Sequence, residues 1–158
     1  MKLDVRRAFE SDIPAIAALY LEDAGEVVDR EPTLRHVQDR SAVERRYAVR
    51  VHDPERAVLV AVHDDAVVGF ADAVLNRHDD RSTYYALGVD AYVEELIVTA
   101  HHRRGGIGTK LMVAVEAWAE ASGARLVTLD THVTNHAARA LYGKGGYRDI
   151  GVILVKEL

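Results

Sequence analysis

The 158-residue chain contains no cysteine. Disulfides, a thiol nucleophile and a cysteine-ligated metal are therefore excluded, although this says little about compartment. It also lacks an apolar run of about 18 residues, the length a membrane-spanning helix needs. No signal-peptide pattern of basic, apolar and small residues is present. These absences lead us to expect a cytoplasmic protein with no membrane partner. Basic charge is in deficit too, with 20 Lys and Arg against 25 Asp and Glu and a net charge of −5. Phosphate backbones are bound by clustered Lys and Arg, so no nucleic-acid partner is expected. The pairs Arg103 and Arg104, and Arg45 and Arg46, are too short to reverse that reading. An acidic protein is better suited to a cationic partner. Repeats, linkers and low-complexity segments are missing, so 1–158 reads as one domain. With 49% hydrophobic and 28% charged residues the composition is ordinary for a globular fold. A chain of this length buries about 68–70% of its unfolded surface.

The most informative stretch is 92–108, Tyr-Val-Glu-Glu-Leu-Ile-Val-Thr-Ala-His-His-Arg-Arg-Gly-Gly-Ile-Gly. It opens as a strand carrying Tyr92, Val93, Ile97 and Val98, and closes in an Arg/Gly turn. Ile107, Leu111, Val115 and Trp118 then recur at helical spacing and make one apolar face. A helix N-terminus offers unpaired N–H groups and a partial positive charge. Gly105, Gly106 and Gly108 would let a phosphate approach the backbone. The turn thus reads as an anion site, most simply for a pyrophosphate. It is not a Walker A loop, which needs Gly-x4-Gly-Lys-Ser/Thr. Nor is it the G-x-G-x-x-G dinucleotide turn, because the third glycine would fall on Leu111. Within the strand, alternation places Tyr92, Glu94, Leu96 and Val98 on one face and Val93, Glu95 and Ile97 on the other. Two adjacent carboxylates followed by three apolar residues fit neither face. A β-bulge near 94–96 would flip the parity and free backbone groups.

The rest of the chain reads as alternating elements. A short strand over Leu3, Val5 and Arg7 precedes a helix capped by Ser11, with Pro14 just inside it, running to about Ala24. Pro32 and Thr33 open one or two further helices carrying Leu34, Val37, Val43 and Tyr47. Strands 57–63 and 66–75 form a hairpin around Asp64 and Asp65. Gly69 marks a bulge or a close backbone approach. The 76–90 region is polar, with a loop or hairpin tip at His78, Asp79, Asp80 and Arg81. No second ligand cluster accompanies it, so no metal is expected. After the central helix come a strand at 125–131, a short helix capped by Asn135, and a final strand at 147–156. The order β-α-α-β-β-β-α-β-α-β defines a mixed α/β domain.

Two passages carry a resemblance. Arg103-x-x-Gly106-x-Gly108, after a strand and before a helix, is similar to the Arg/Gln-x-x-Gly-x-Gly/Ala signature of the GNAT superfamily of N-acetyltransferases. Asn135-x-x-Ala138-x-x-Leu141-Tyr142-x-x-x-Gly146-Tyr147 resembles that superfamily's second motif, in the right order. The resemblance implies a mixed, mostly antiparallel central sheet with a splayed, bulged central strand flanked by helices. It implies acetyl-CoA as co-substrate. The implied cofactor set is Leu96, Ile97 and Val98 along the pantetheine, then Arg103, Arg104, Gly105, Gly106, Ile107, Gly108 and Thr109 at the phosphates, with Asn135. Thr99 to His102 depart from the frequent Pro-Glu-x at the strand end, and Gly143 and Gly145 replace longer helical residues after Tyr142. Homodimers are common in the resembled superfamily, and this sequence does not decide the matter.

The chemistry explains why a carboxylate and a tyrosine are wanted. A primary amine arrives protonated, near pKa 10.4 for a lysine-like group, and must lose a proton before attacking a thioester. Glu94 lies nine residues before Arg103, the spacing of a general-base glutamate in polyamine-type members of the superfamily. It is the expected base, through water; Glu95 competes, and the bulge decides which one faces the cleft. Tyr142 is the expected general acid to the departing thiolate, and a backbone N–H such as that of Val98 would steady the oxyanion. The expected function is direct acetyl transfer to the primary amine of a small molecule, polyamine, aminoglycoside or peptide. The alternative is a non-catalytic acetyl-CoA-binding sensor or interaction module on the same fold.

Overall fold

A computed structural model describes residues 3–30, 39–79 and 88–156. The helix expected around Pro32 to Val37 lies outside the described residues, as do Asp80 and Arg81 of the expected tip, whereas His78 of that tip ends a strand. Five strands form one sheet in the order β1-β2-β3-β4-β5: β1 Leu3–Arg7, β2 Arg56–His63, β3 Ala66–His78, β4 Gly88–Val98 and β5 Val127–Leu129. All neighbours are antiparallel except β4 and β5, which are parallel. Four helices flank the sheet: α1 Ile13–Arg30, α2 Arg40–Arg50, α3 Ile107–Ala121 and α4 His136–Lys144.

Alternation along β2 sends Val58 and Val60 to one side and Ala57, Leu59 and Ala61 to the other. The first set packs with Phe70 and Ile97 against Ile16 and Tyr20 of α1 and Val43 and Tyr47 of α2. The second set joins Ala71, Ala73 and Val93 against Ile107, Leu111, Met112 and Val115 of α3. Four of those sheet residues are alanines, so α3 lies close to the sheet backbone. The result is a three-layer α/β domain with an apolar seam on each face.

The hairpin between β2 and β3 turns at Asp64 and Asp65, with φ of 48° and 64°, the left-handed pair that a two-residue turn requires. Gly69 sits at a register shift, and a Cβ there would lie 2.8 Å from the Ile97 carbonyl oxygen. Both readings of that glycine therefore hold.

Four expectations need correction. Ser11 does not cap α1. A 3-10 turn at Glu10–Asp12 leads into the helix, and the Asp12 carboxylate accepts from the Phe9 N–H at 2.8 Å. α1 also continues past Ala24 to Arg30. The fifth strand shrinks from the expected 125–131 to Val127–Leu129. The strand expected at 147–156 does not form, and Ile150, Val152, Ile153, Leu154 and Val155 are 70–88% exposed. Strand propensity needs a neighbour to pair with, and no described strand of this chain takes up that segment.

Candidate active site

The site is organised by one surplus residue in β4. Glu95 pairs with Asp72 and Val93 with Ala73, leaving Glu94 without a partner on β3. This is the bulge that the sequence called for. Its effect on parity is visible in the packing, since Val93 joins the α3 core whereas Ile97 joins the α1/α2 core. β4 pairs with β5 only through Ala91, Tyr92 and Val93. Beyond Val93 no described strand covers that edge. The two strands part there and their backbone groups are free on one side.

A cavity of about 260 Å³ opens at this parting. Its walls are Tyr20, Asp23 and Val27 from α1, Glu94 to Ile97 from β4, Leu129 to His132 after β5, and Asn135, Ala138 and Tyr142 from α4. Leu96 and Ile97 of the expected pantetheine set line it. Val98 does not; it pairs with Gly69, and its carbonyl accepts from Arg103 Nε at 2.8 Å.

The two adjacent glutamates have different surroundings. Glu94 receives two hydrogen bonds from Arg56, at 2.9 and 3.1 Å, and an ion pair from Arg50 at 2.6 Å. Both arginines also hold Asp72, which is fully buried. Burial would raise the Glu94 pKa, but Arg56 and Arg50 outweigh it and hold the carboxyl below its ordinary value. The Glu95 side chain has no hydrogen bond or ion pair with any described residue. Burial, with Asp23 and Asp72 adding like charge against a smaller contribution from Arg50, pushes it up to about 7. One carboxylate is thus locked and ionised, and its neighbour sits near neutrality facing the cavity.

Tyr142 also lines the cavity, its hydroxyl unbonded among the described residues and its ring 5.8 Å from that of Tyr147. Burial, then Asp130 and Asp23, push its pKa up to about 12, so it stays protonated at neutral pH. Asn135 caps α4 as expected, accepting from the Ala138 N–H at 3.3 Å, while lining the same cavity. Tyr92 donates to Asp130 at 2.6 Å and so fixes that carboxylate at the far wall.

The glycine turn leaves β4 through a 3-10 turn, Ala100–His102, and enters α3 at Gly106. Gly106 has φ of 80° and nothing within 4 Å of a Cβ position, so backbone geometry rather than crowding calls for glycine. The first α3 bond runs from the Lys110 N–H to the Gly106 carbonyl. The amides of Ile107, Gly108 and Thr109 therefore have no carbonyl one turn back. Arg104, at φ 65°, is exposed and unpaired among the described residues. This cradle fits a pyrophosphate. Two residues of the expected set are engaged elsewhere. Arg103 makes a paired contact with Glu26 of α1 at 2.8 and 2.9 Å. Gly108 makes room for Leu141 of α4, whose Cδ1 would lie 2.8 Å from a Cβ.

Sequence reasoning missed Arg50, Arg56 and Asp72. A signal was present in Asp72, a charged residue inside the apolar run from Val67 to Leu75, because buried carboxylates bring their own cations.

Comparison with known proteins agrees with this geometry. The model of the Acetyltransferase (GNAT) family matches residues 13–147. An uncharacterized N-acetyltransferase of Bacillus subtilis, YhfO, is 26% identical over 149 residues, covering 93% of this chain and 91% of that one. An uncharacterized N-acetyltransferase of Mycobacterium tuberculosis is 33% identical over 110 residues, 70% of this chain and 64% of that one. An aminoglycoside N(6')-acetyltransferase of Klebsiella aerogenes is 31% identical over 98 residues, 61% of this chain and 62% of that one. Among solved structures, a variant of the BH1408 protein of Bacillus halodurans superposes with a TM-score of 0.90 at 20% identity, covering 98% and 99% of the two chains. AAC(6')-Iy bound to a bisubstrate analog superposes with a TM-score of 0.79 at 20% identity, covering 100% and 99%. The chain belongs to the acetyltransferase (GNAT) family and is an acetyl-CoA-dependent N-acetyltransferase.

Proposed function

We propose that the enzyme transfers the acetyl group directly to a primary amine of a small, multiply cationic acceptor, with Glu95 rather than Glu94 taking the amine proton. The observation that carries this reading is the contrast between the two carboxylates. Glu94 is held as an anion by Arg56 and Arg50. Glu95 is unpaired among the described residues and sits at about 7, where a general base works best. The acceptor class follows from the walls. Asp23, Glu94, Glu95 and Asp130 line the cavity, and among the described residues no lysine or arginine does. The names of the aminoglycoside-acetylating relatives fit the same class.

In this reading Ile107, Gly108 and Thr109 offer their amides to the pyrophosphate, and Arg104, Gly105 and Gly106 shape the turn around it. Leu96 and Ile97 supply the free β4 edge for the pantetheine, and Asn135 borders it. The bound thioester supplies an activated acetyl carbon. Glu95 accepts the ammonium proton, directly or through one water, and Asp23 and Asp130 hold the acceptor's other cationic groups. Tyr142 donates a hydrogen bond where thiolate charge develops. At about 12 its hydroxyl is a donor first and a proton source second, since a free thiol titrates near 8.5. Glu94 fixes the bulge through Arg56. We place the enzyme in the cytoplasm, as a homodimer.

The test is release of free coenzyme A across an amine panel, read with a thiol-reactive dye against a protein that has no thiol of its own. Glu95→Gln should lower turnover on the best amine by about two to four orders of magnitude while acetyl-CoA binding is unchanged. Full activity of Glu95→Gln together with loss in Glu94→Gln would return the role to Glu94.

A further inference from the structure

Among the described residues, Tyr47 Oη and His102 Nδ1 are the buried side-chain polar atoms with no hydrogen-bond partner. A buried hydroxyl without a partner is rare in a folded protein, because it gives up its bonds to water for nothing in return. The packing of Tyr47 does not require the oxygen. Its ring is fully buried, stands edge-on to Phe70 with centroids 5.6 Å apart, and belongs to the α1/α2 core. Phenylalanine would fill that place. What the hydroxyl can reach therefore decides its use.

The strand register sets a carboxyl group beside it. Phe70 pairs with Ile97, and Asp72 pairs with Glu95. Residues two apart on a strand share a face. Glu95 therefore sits with Ile97 on the face that α2 covers. Arg50, about one turn after Tyr47 on α2, bonds to Asp72 on that face, and its guanidinium carbon lies 5.6 Å from the Tyr47 ring centroid. Burial, then Asp72 and Glu95, push the Tyr47 pKa above the usual tyrosine range, against smaller opposing effects of Arg50 and Arg46. The hydroxyl is thus a proton donor at every working pH.

The charged and titratable groups around Glu95 are Asp23 of α1, Arg46, Tyr47 and Arg50 of α2, Asp72 of β3, and Tyr92 and Glu94 of β4. Arg50 serves Asp72 and Glu94. Arg46 donates to the Tyr20 hydroxyl and lies 5.3 Å from the centroid of that ring. Tyr92 donates to Asp130. Of these described groups, Tyr47 keeps its donor uncommitted. An O–H without an acceptor and a carboxyl without a donor thus meet on one face of the sheet.

We propose that Tyr47 is a positioning residue for the reaction: its hydroxyl donates to one oxygen of ionised Glu95, directly or through one water, and leaves the other oxygen turned to the amine. The role rests on Glu95 being the base. A donor to the ionised form favours that form, so Tyr47 keeps the base competent against burial and the like charge of Asp23 and Asp72. Tyr47 is not among the cavity walls, and it acts on the acceptor only through Glu95.

Tyr47→Phe removes one oxygen and keeps the ring against Phe70. The acid limb of kcat/KM should move up by about one pH unit, a roughly fivefold loss near pH 7 that is recovered by about pH 9, with KM for acetyl-CoA unchanged. In a Glu95→Gln background the same change should have no further effect on turnover. A readout independent of turnover is NMR titration of isotope-labelled glutamate carboxyl carbons, with Glu95 assigned by its absence in Glu95→Gln. The Glu95 midpoint should move up in Tyr47→Phe by the same amount. An unmoved midpoint would overturn the proposal however far activity falls, since a packing defect alone does not alter that proton balance. A moved midpoint beside full activity of Glu95→Gln would instead overturn the assignment of the base, leaving Tyr47 bonded to a carboxyl that takes no part in the reaction.

Discussion

Replacing Glu95 with glutamine is expected to remove activity and to stabilise the protein. Burial, with Asp23 and Asp72, moves the folded carboxyl from an ordinary 4.5 to about 7, while in the unfolded chain the group keeps its ordinary value. Between those two values the folded protein holds a proton that the unfolded chain has released. Stability therefore falls as pH rises through this window, and the loss is complete above about pH 7. A difference of about 2.5 in pKa amounts to about 3 kcal/mol as an upper figure. Glutamine fills the same space and carries no such cost. At about pH 4 the two proteins should melt together. At about pH 8 the variant should melt higher by as much as roughly 6–12 °C, taking 2–4 °C per kcal/mol for a domain of this size. Thermal melts across the pH range, run beside kcat/KM against pH, provide the assay. Turnover of the unmodified enzyme should rise along an acid limb with a midpoint near 7, and that limb should vanish in Glu95→Gln. Equal melting temperatures at both pH values, or an unchanged acid limb in the variant, would refute the reasoning.

Other perturbations follow from the same geometry. Arg56→Ala leaves fully buried Asp72 with only Arg50 and should cost about 3–5 kcal/mol, read by chemical denaturation. Gly108→Ala places a methyl 2.8 Å from Leu141 Cδ1 and should cost about 1–3 kcal/mol, with Leu141→Ala in the same chain recovering part of it. Arg104→Ala should weaken coenzyme A binding in calorimetry, with an effect that shrinks as salt rises, and should leave the melting temperature of the free protein unchanged because its side chain is exposed and unpaired among the described residues.

Much of the site was legible because local misfits announce themselves. Two adjacent carboxylates followed by Leu96, Ile97 and Val98 cannot alternate, and the bulge is the physical resolution. Asp64 and Asp65 signalled a tight turn through the left-handed tolerance of aspartate, and Asn135 signalled a helix start through its capping oxygen. What stayed hidden depends on partners remote in sequence. The division of labour between Glu94 and Glu95 is set by Arg56, 38 residues upstream, and by Arg50. Gly108 read as clearance for a ligand because the approach of Leu141 is a tertiary fact. Segment 147–156 reads as a strand because its residues favour one, but propensity names no neighbour to complete the ladder.

The surplus residue in β4 has a consequence for how such a sequence can change over generations. The cleft exists because one strand counts one residue more than its neighbour between two fixed registers. Substitutions can alter what the cleft prefers while leaving that count untouched. Loss of a single codon near Glu94 would equalise the strands and restore the ladder, while Leu96, Ile97 and Val98 kept the faces set by their partners on β3. The sheet would become more regular as the active site closed. Lineages of this enzyme can therefore vary residue identities at the bulge much more freely than they can vary its length.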